Sequence, residues 1–374
     1  MTPPTPIIGV IGLGTMGLGI AQVYAAAGFP VIATDAHAPA CTSARDRMDQ
    51  ALVARVRTGK LTEDARAATL SNLTIADTLA EFAPCDLVIE AIVERLDAKQ
   101  ELFRQLEAIL RPDRILATNT SSIPVRDIAA GLAHPARVLA LHFFNPPTAM
   151  KLVELAPHDG SLTQYINIAT QITEKAGKTA IRCPDRPGFI VNRCARPFYG
   201  EALASLAEGR TASDIDAAML AVGYRLGPLS LIDLIGADIN LAATRGMSAA
   251  MGNHPRYHVF PALEGQVAAG HLGRKSGRGF LHPAQPGPAP ADAAAIALRI
   301  EATLINEAHW LLAEGGTTAT GIDTAMKLGL NFPRGPFEAL EIHGRAAVLQ
   351  TLIDLRAAAP QAMKDRYTPA PGLA

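Results

Sequence analysis

Ile7-Ile8-Gly9-Val10-Ile11-Gly12-Leu13-Gly14-Thr15-Met16-Gly17, taken with Val31-Ile32-Ala33-Thr34-Asp35 downstream, decides the fold of this chain. Ile7 to Ile11 is a short apolar run of strand character, and helical spacing holds from about Thr15 to Ala27. Gly28 stands where a left-handed C-cap belongs, and Pro30 follows it as a stop signal. The second apolar run ends at Asp35, which completes a βαβ unit with an acid about 20 residues beyond the glycines. The glycine spacing has a mechanical reason. Gly12 permits the tight strand-to-helix turn, Gly14 lets the backbone approach a pyrophosphate, and Gly17 lets the helix pack close to the strand. Gly12, Gly14, Thr15, Met16 and Gly17 are therefore expected to hold a dinucleotide. Asp35 is expected to accept hydrogen bonds from the adenosine ribose, and its charge repels a 2′-phosphate, so the expected cofactor is NAD rather than NADP.

Strand and helix alternate onward: Asp86 to Ile92, a helix near Asp97 to Leu110, Arg114 to Thr118, Val138 to Phe144 and Lys151 to Leu155. Continuous hydrophobicity in the strands fits a Rossmann-type, doubly wound parallel sheet covered on both faces. The last two runs are joined only by Asn145-Pro146-Pro147 and a few further residues, too few for a crossover helix, so they are expected to pair antiparallel at the sheet edge. From Asp185 the strands stop. Phe189 to Gly209 has helical spacing, and Ser213 is expected to cap Ile215 to Val222. The expected domains are 1–184 for the cofactor, 185–281 all-helical, a Pro/Ala/Gly linker over 282–291, and 292–374.

That last segment repeats the second. Glu201-Ala-Leu-Ala-Ser-Leu-Ala-Glu-Gly209 is echoed by Glu307-Ala-His-Trp-Leu-Leu-Ala-Glu-Gly315, and Ile215-Asp216 by Ile322-Asp323. Gly227-Pro228 returns as Gly335-Pro336, and Arg256-Tyr257 as Arg366-Tyr367. The all-helical domain is present in two tandem copies, the second one shorter.

Composition narrows the function class. The 374 residues carry 34 Lys+Arg against 35 Asp+Glu, which leaves no basic field to attract nucleic acid or an anionic membrane. Cys41, Cys85, Cys183 and Cys194 are scattered without a CxxC or Cys/His cluster, so no metal site is expected. The apolar stretch from Ile7 is broken by glycines and lacks a basic leader, which reads as strand and helix rather than signal peptide or membrane span, with the cytoplasm as the expected compartment.

His142 ends a buried strand, and Glu154 lies in the strand expected to pair with it. A carboxylate on one ring nitrogen fixes the imidazole tautomer and stabilises the imidazolium formed when the other nitrogen takes a proton. Ser121, in Asn119-Thr120-Ser121-Ser122, follows another strand end, and Asn192 opens the helical region. Singly, each reads as an ordinary structural residue. Together, in one cleft, they supply a base, its orienting acid and two polar anchors for a substrate oxygen, which is the equipment for hydride transfer on an alcohol or carbonyl.

These residues bring a family into view. Asn119-Thr-Ser-Ser122, Leu141-His-Phe-Phe-Asn-Pro146, Met150-Lys-Leu-Val-Glu154, Pro187-Gly-Phe-Ile-Val-Asn-Arg193 and Gly273-Arg-Lys-Ser-Gly-Arg-Gly-Phe280 resemble, in order, the motifs of the L-3-hydroxyacyl-CoA dehydrogenase family. The resemblance implies that His142 removes the C3 hydroxyl proton, Glu154 orients it, Ser121 bonds the substrate oxygen and Asn192 holds the thioester end. It also places Glu94, Lys99, Ser121 and Asn145 around the cofactor. The duplicated helical region resembles long bacterial forms, including phenylacetate-pathway 3-hydroxyadipyl-CoA dehydrogenases and some 3-hydroxybutyryl-CoA dehydrogenases. An acyl-CoA is the implied partner, and the chain is expected to be a monomer with an internal pseudo-dimer or a homodimer. In the second copy the position of Asn192 is held by Leu298, so that copy is expected to be structural.

Two other readings stand beside this one. The β-hydroxyacid dehydrogenases, which act on free acids, open with the same glycine pattern but use a Lys at a glycine-rich helix start, and none is found near Asp185 to Asn192. A non-catalytic, crystallin-like NAD-binding protein is expected to have lost the base or its carboxylate, and both are intact. No single Arg stands out in the sequence as a receptor for a second substrate carboxylate.

Overall fold

A computed structural model describes residues 5–373, which form two compact units dividing at Arg186 and Pro187. The first unit runs β1 (Ile8–Ile11), α1 (Thr15–Ala26), β2 (Val31–Thr34), α2 (Ala38–Arg57), α3 (Glu63–Ser71), β3 (Leu73–Ile75), β4 (Leu87–Glu90), α4 (Leu96–Ile109), β5 (Ile115–Thr118), α5 (Val125–Ala129), β6 (Val138–Phe143), β7 (Leu152–Pro157), α6 (Thr163–Lys175) and β8 (Thr179–Arg182). The strands form one sheet in the order β3-β2-β1-β4-β5-β6-β7-β8. All neighbours are parallel except β6 and β7. Strands β1, β4, β5 and β6 are buried along their whole length, as sheet strands covered on both faces must be.

The antiparallel pairing of β6 and β7 puts His142 directly opposite Glu154. The expectation that this pair closes the sheet needs correcting, because β8 pairs parallel with β7 outside it. Strands β8 and β3 escape a reading based on apolar runs because each is short and only partly buried.

The second unit is helical: α7 (Val191–Cys194), α8 (Arg196–Ala207), α9 (Ala212–Ala221), α10 (Pro228–Ile235), α11 (Ala237–Ala250), α12 (Pro261–Ala268), α13 (Ala293–Ala313), α14 (Ala319–Leu330), α15 (Pro336–His343) and α16 (Arg345–Ala358). The helix expected from Phe189 is two helices, with Pro197 in the first turn of α8, where a missing N–H costs nothing. The cap of α9 is Thr211, whose hydroxyl accepts from Asp214 N at 3.1 Å. Ser213, expected in that role, instead accepts from Gly287 N at 2.8 Å.

The tandem repeat has a structural reason at each echo. Asp216 accepts from Leu229 N (3.0 Å) and Ser230 N (2.7 Å), and Asp323 accepts from Phe337 N (2.8 Å) and Glu338 N (3.2 Å). Each Asp thus satisfies orphan donors at the start of α10 or α15. Any side chain on Gly227 or Gly335 would collide with that Asp, since a Cβ would lie 2.3 and 2.2 Å from it.

Across the two copies the contacts are reciprocal. Arg193 donates to Glu307 at 2.7 Å and forks onto Glu314, while Arg256 and Tyr257 donate to Glu307 at 3.0 and 2.5 Å. In mirror fashion Arg299 donates to Glu201 at 2.7 Å and forks onto Glu208, while Arg366 and Tyr367 both donate to Glu201 at 3.2 Å. This is the isologous pattern of a twofold dimer, written within one chain. Both glutamates are fully buried, and each is compensated by two guanidinium groups and a phenol.

Candidate active site

The carboxyl ends of β1, β2, β4, β5 and β6 lie along one edge of the sheet, where ligands bind in open α/β sheets. At the first of them Gly12 has φ of 98°, and a Cβ there would stand 2.5 Å from Ala91 O. A Cβ on Gly17 would lie 1.7 Å from Gly12 O, so helix α1 packs against the turn as closely as the sequence requires. Gly14, the N-cap of α1, faces open space in which a Cβ would meet nothing within 4 Å. With no acid in its first turn, this helix start suits a pyrophosphate, and a side chain at Gly14 would fill the cradle. Thr15 begins α1 and Met16 packs against the core.

Asp35 follows β2 and braces the turn. Its carboxylate accepts from Leu13 N at 2.6 Å and from His37 N at 2.8 Å. Arg47 of α2, which the sequence reading passed over, donates to Leu13 O at 3.0 Å from the other side. The glycine turn is therefore held at Leu13 by both an acid and a base.

A buried charge network lies at the ends of β4 and β5. Glu90, fully buried, accepts from Lys99 Nζ at 2.6 Å, from Thr118 Oγ1 at 2.8 Å and from Ile92 N at 2.7 Å. Lys99 also reaches Glu94 at 3.2 Å. Lys99 is 1% exposed whereas the Glu94 side chain is 37% exposed, so Glu94 is the member of this pair that reaches solvent. Glu94 Oε1 in turn collects Thr120 Oγ1 (2.6 Å), Ser121 N (3.0 Å), Ser122 N (3.2 Å) and Ser122 Oγ (2.9 Å). Burial pushes its carboxyl upward, but the Thr120 hydroxyl, the Lys99 cation and the Ser121 and Ser122 donors outweigh this and hold it below its usual range. The loop carrying Ser121 is thereby fixed, and Ser121 itself is exposed. Glu90 was missed in the sequence, although an acid closing the apolar run Leu87-Val88-Ile89 was a usable signal.

His142 Nδ1 and Glu154 Oε2 are 2.7 Å apart, both residues buried, with the Phe144 ring edge-on to the imidazole at 4.7 Å. Asn119 Oδ1 accepts from Phe143 N at 2.8 Å, which ties the serine loop after β5 to the strand that carries His142. Asn145 is exposed in the turn just beyond that strand. The first unit thus brings Gly12, Gly14, Thr15, Met16, Gly17, Asp35, Glu94, Lys99, Ser121, His142, Asn145 and Glu154 to the end loops of its central strands, the first turns of α1 and α4, and the adjoining hairpin. Asn192 belongs to the second unit, half-buried on α7. Among the described residues no group of His, Cys, Asp and Glu is placed to hold a metal ion, and no helix is long and apolar enough to cross a membrane.

Residues 7–186 match the family model described as 3-hydroxyacyl-CoA dehydrogenase, NAD binding domain, and residues 188–282 and 296–373 match 3-hydroxyacyl-CoA dehydrogenase, C-terminal domain. The chain belongs to the 3-hydroxyacyl-CoA dehydrogenase family. It is an NAD-dependent oxidoreductase with a duplicated C-terminal domain. Over 276 residues it is 44% identical to the 3-hydroxyadipyl-CoA dehydrogenase of Escherichia coli (strain K12), an alignment covering 73% of this chain and 58% of that protein. It is 41% identical over 274 residues to a probable 3-hydroxybutyryl-CoA dehydrogenase of Deinococcus radiodurans, covering 73% of this chain and 98% of that one. The crystal structure of a 3-hydroxybutyryl-CoA dehydrogenase from Escherichia coli K12 superimposes with a TM-score of 0.91 at 32% identity, covering 99% of this chain and 98% of the other.

Proposed function

We propose that this dehydrogenase interconverts an L-3-hydroxyacyl-CoA and the 3-oxoacyl-CoA, with a short-chain or dicarboxylyl substrate such as 3-hydroxybutyryl-CoA or 3-hydroxyadipyl-CoA. The observation that carries this reading is the buried His142–Glu154 pair at 2.7 Å. With Nδ1–H donated to Glu154, the basic lone pair sits on Nε2, and that nitrogen takes the C3 hydroxyl proton. Glu154 stabilises the imidazolium so formed and keeps the ring from rotating. Ser121 bonds the substrate oxygen from a loop that Glu94 immobilises, and Asn192 holds the thioester end. Gly12, Gly14, Thr15, Met16, Gly17, Asp35, Glu94 and Asn145 would hold NAD, with Lys99 acting through Glu94. Bound NAD supplies the acceptor for the hydride leaving C3.

The test is NADH oxidation with acetoacetyl-CoA as the oxo substrate. Turnover without any requirement for metal is expected, and turnover of 3-oxo acids lacking coenzyme A but not of their thioesters would overturn the reading in favour of a free-acid enzyme. Replacing NADH by NADPH in the same assay should lower kcat/KM at least about 100-fold, because the 2′-phosphate meets the Asp35 carboxylate. Equal rates with both would refute the role given to Asp35.

The second helical copy we take to be structural, covering apolar and charged surface that would otherwise need a partner. Deleting the residues after Phe280 removes Glu307 and Glu314 from Arg193 and leaves the buried faces of α8 and α9 bare. Size-exclusion chromatography should then show dimers or aggregates, and a fully active monomer would contradict this assignment.

A further inference from the structure

Four arginines are buried among the described residues: Arg137, Arg193, Arg196 and Arg366. Three have a carboxylate within salt-bridge distance, Glu107 for Arg137, Glu307 and Glu314 for Arg193, and Glu201 for Arg366. Arg196, 8% exposed, pairs with none among the described residues. Its Nε donates to Asn192 O at 3.1 Å and its Nη1 to Thr244 Oγ1 at 3.0 Å, and its guanidinium lies 5.0 Å from the Tyr199 ring centroid. Thr244 is itself pinned to Asn240 O at 2.8 Å. Nη2 has no protein partner among the described residues. Burial pulls this cation below its usual range, and the Tyr199 phenol offsets this only in part. A desolvated positive charge held rigidly without a counterion is costly, and a ligand anion removes the cost.

The repeat supplies an internal comparison. Glu201 and Glu307 set the register of α7–α8 against α13, and the glycines Gly236 and Gly344, which open the 14-residue helices α11 and α16, set theirs. In that register Asn192, Arg196 and Tyr199 correspond to Leu298, Ala302 and Ile305, and Asn240 and Thr244 to Val348 and Leu352. All five of the second-copy residues belong to one hydrophobic cluster or pack against it. The same fold therefore closes perfectly well with an apolar core at this place. The polar set in the first copy is not demanded by folding, and through Arg196 it touches Asn192, the one residue of this unit assigned to the substrate.

We propose that Arg196, braced by Thr244 and Tyr199, is the receptor for a carboxylate at the far end of the acyl chain, so that the enzyme selects 3-hydroxydicarboxylyl-CoA over monocarboxylic chains. The inference rests on the reading of Asn192 as a substrate contact. The Arg196 guanidinium folds back onto the turn that carries Asn192, its Nε 3.1 Å from Asn192 O, which puts the cation beside that substrate contact.

Adipyl-CoA and hexanoyl-CoA differ only in the carboxylate that replaces the terminal methyl, and neither carries a 3-hydroxyl, so their binding can be titrated without turnover. Wild-type protein is expected to bind adipyl-CoA more tightly than hexanoyl-CoA, and Arg196→Leu should lower the ratio of the two affinities by about 100-fold, with Arg196→Lys restoring part of it. The ratio of kcat/KM for 3-hydroxyadipyl-CoA over 3-hydroxyhexanoyl-CoA should fall in parallel. Equal weakening of both ligands would overturn the proposal, because it would mean a coenzyme A contact or a purely structural Arg. Turnover of the hexanoyl substrate alone would sink the dicarboxylate receptor while leaving the dehydrogenase reading intact. Binding in the expected ratio without turnover of either substrate would do the reverse.

Discussion

His142→Ala is expected to lower kcat for acetoacetyl-CoA reduction by roughly 10²- to 10⁴-fold, the range that a positioned general acid or base contributes. In that direction the imidazolium donates to the forming alkoxide, and in the other the imidazole removes the same proton. The substitution also removes the imidazole from Glu154, which is fully buried and 2.7 Å from the ring. Losing one hydrogen-bond partner of a buried group costs about 1–3 kcal/mol, so the rates should be compared well below the lowered melting temperature. Glu154→Gln keeps the shape and a hydrogen bond but removes the charge that favours imidazolium. Its loss in kcat should be real but smaller than that of His142→Ala, with NADH affinity retained in both. A His142→Ala enzyme within tenfold of the wild-type rate would remove His142 from the chemistry.

The largest expected effect on stability belongs to Glu307→Ala. This carboxylate joins Arg193, Arg256 and Tyr257, and Arg193 is wholly buried. Burial works against the Arg193 cation, but Glu314 and Glu307 outweigh it and hold the guanidinium above its usual range. Removing one partner of a buried pair costs about 3–5 kcal/mol, because the other charge is left without compensation. Reciprocity makes a second claim: Glu201→Ala should cost a similar amount, since Arg299, Arg366 and Tyr367 surround it in the same way. Denaturant unfolding of the two variants measures both. A loss under 1 kcal/mol in either would mean that the clamp is ornamental to the packing of the copies.

The strands that carry the site were legible because each is a nearly continuous apolar run: Val31 to Thr34 before Asp35, Asp86 to Ile92, and Val138 to Phe144 with His142 near its end. Strands β3 and β8 were not, since a short half-exposed strand leaves no periodic trace. The His142–Glu154 pairing followed from a connection too short for a helix, which forces antiparallel neighbours. The inward turn of Arg196 was invisible for a physical reason. Sequence patterns treat a charged residue as a surface residue, and only packing shows when a helix or strand has turned one inward.

The reciprocal clamp also bears on how the enzyme behaves on dilution. Two copies held by an ordinary twofold interface part as their concentration falls, and their folded state weakens with them. Here the facing halves are joined through the stretch between Ser276 and Ala293, so each meets the other at a fixed effective concentration however dilute the solution. Covalent linkage also frees each side of the interface to vary alone. In a symmetric dimer every substitution is made twice, so a polar set at Arg196 and Thr244 would appear in both partners. A tandem chain can keep it in one half and fill the other with Ala302 and Leu352.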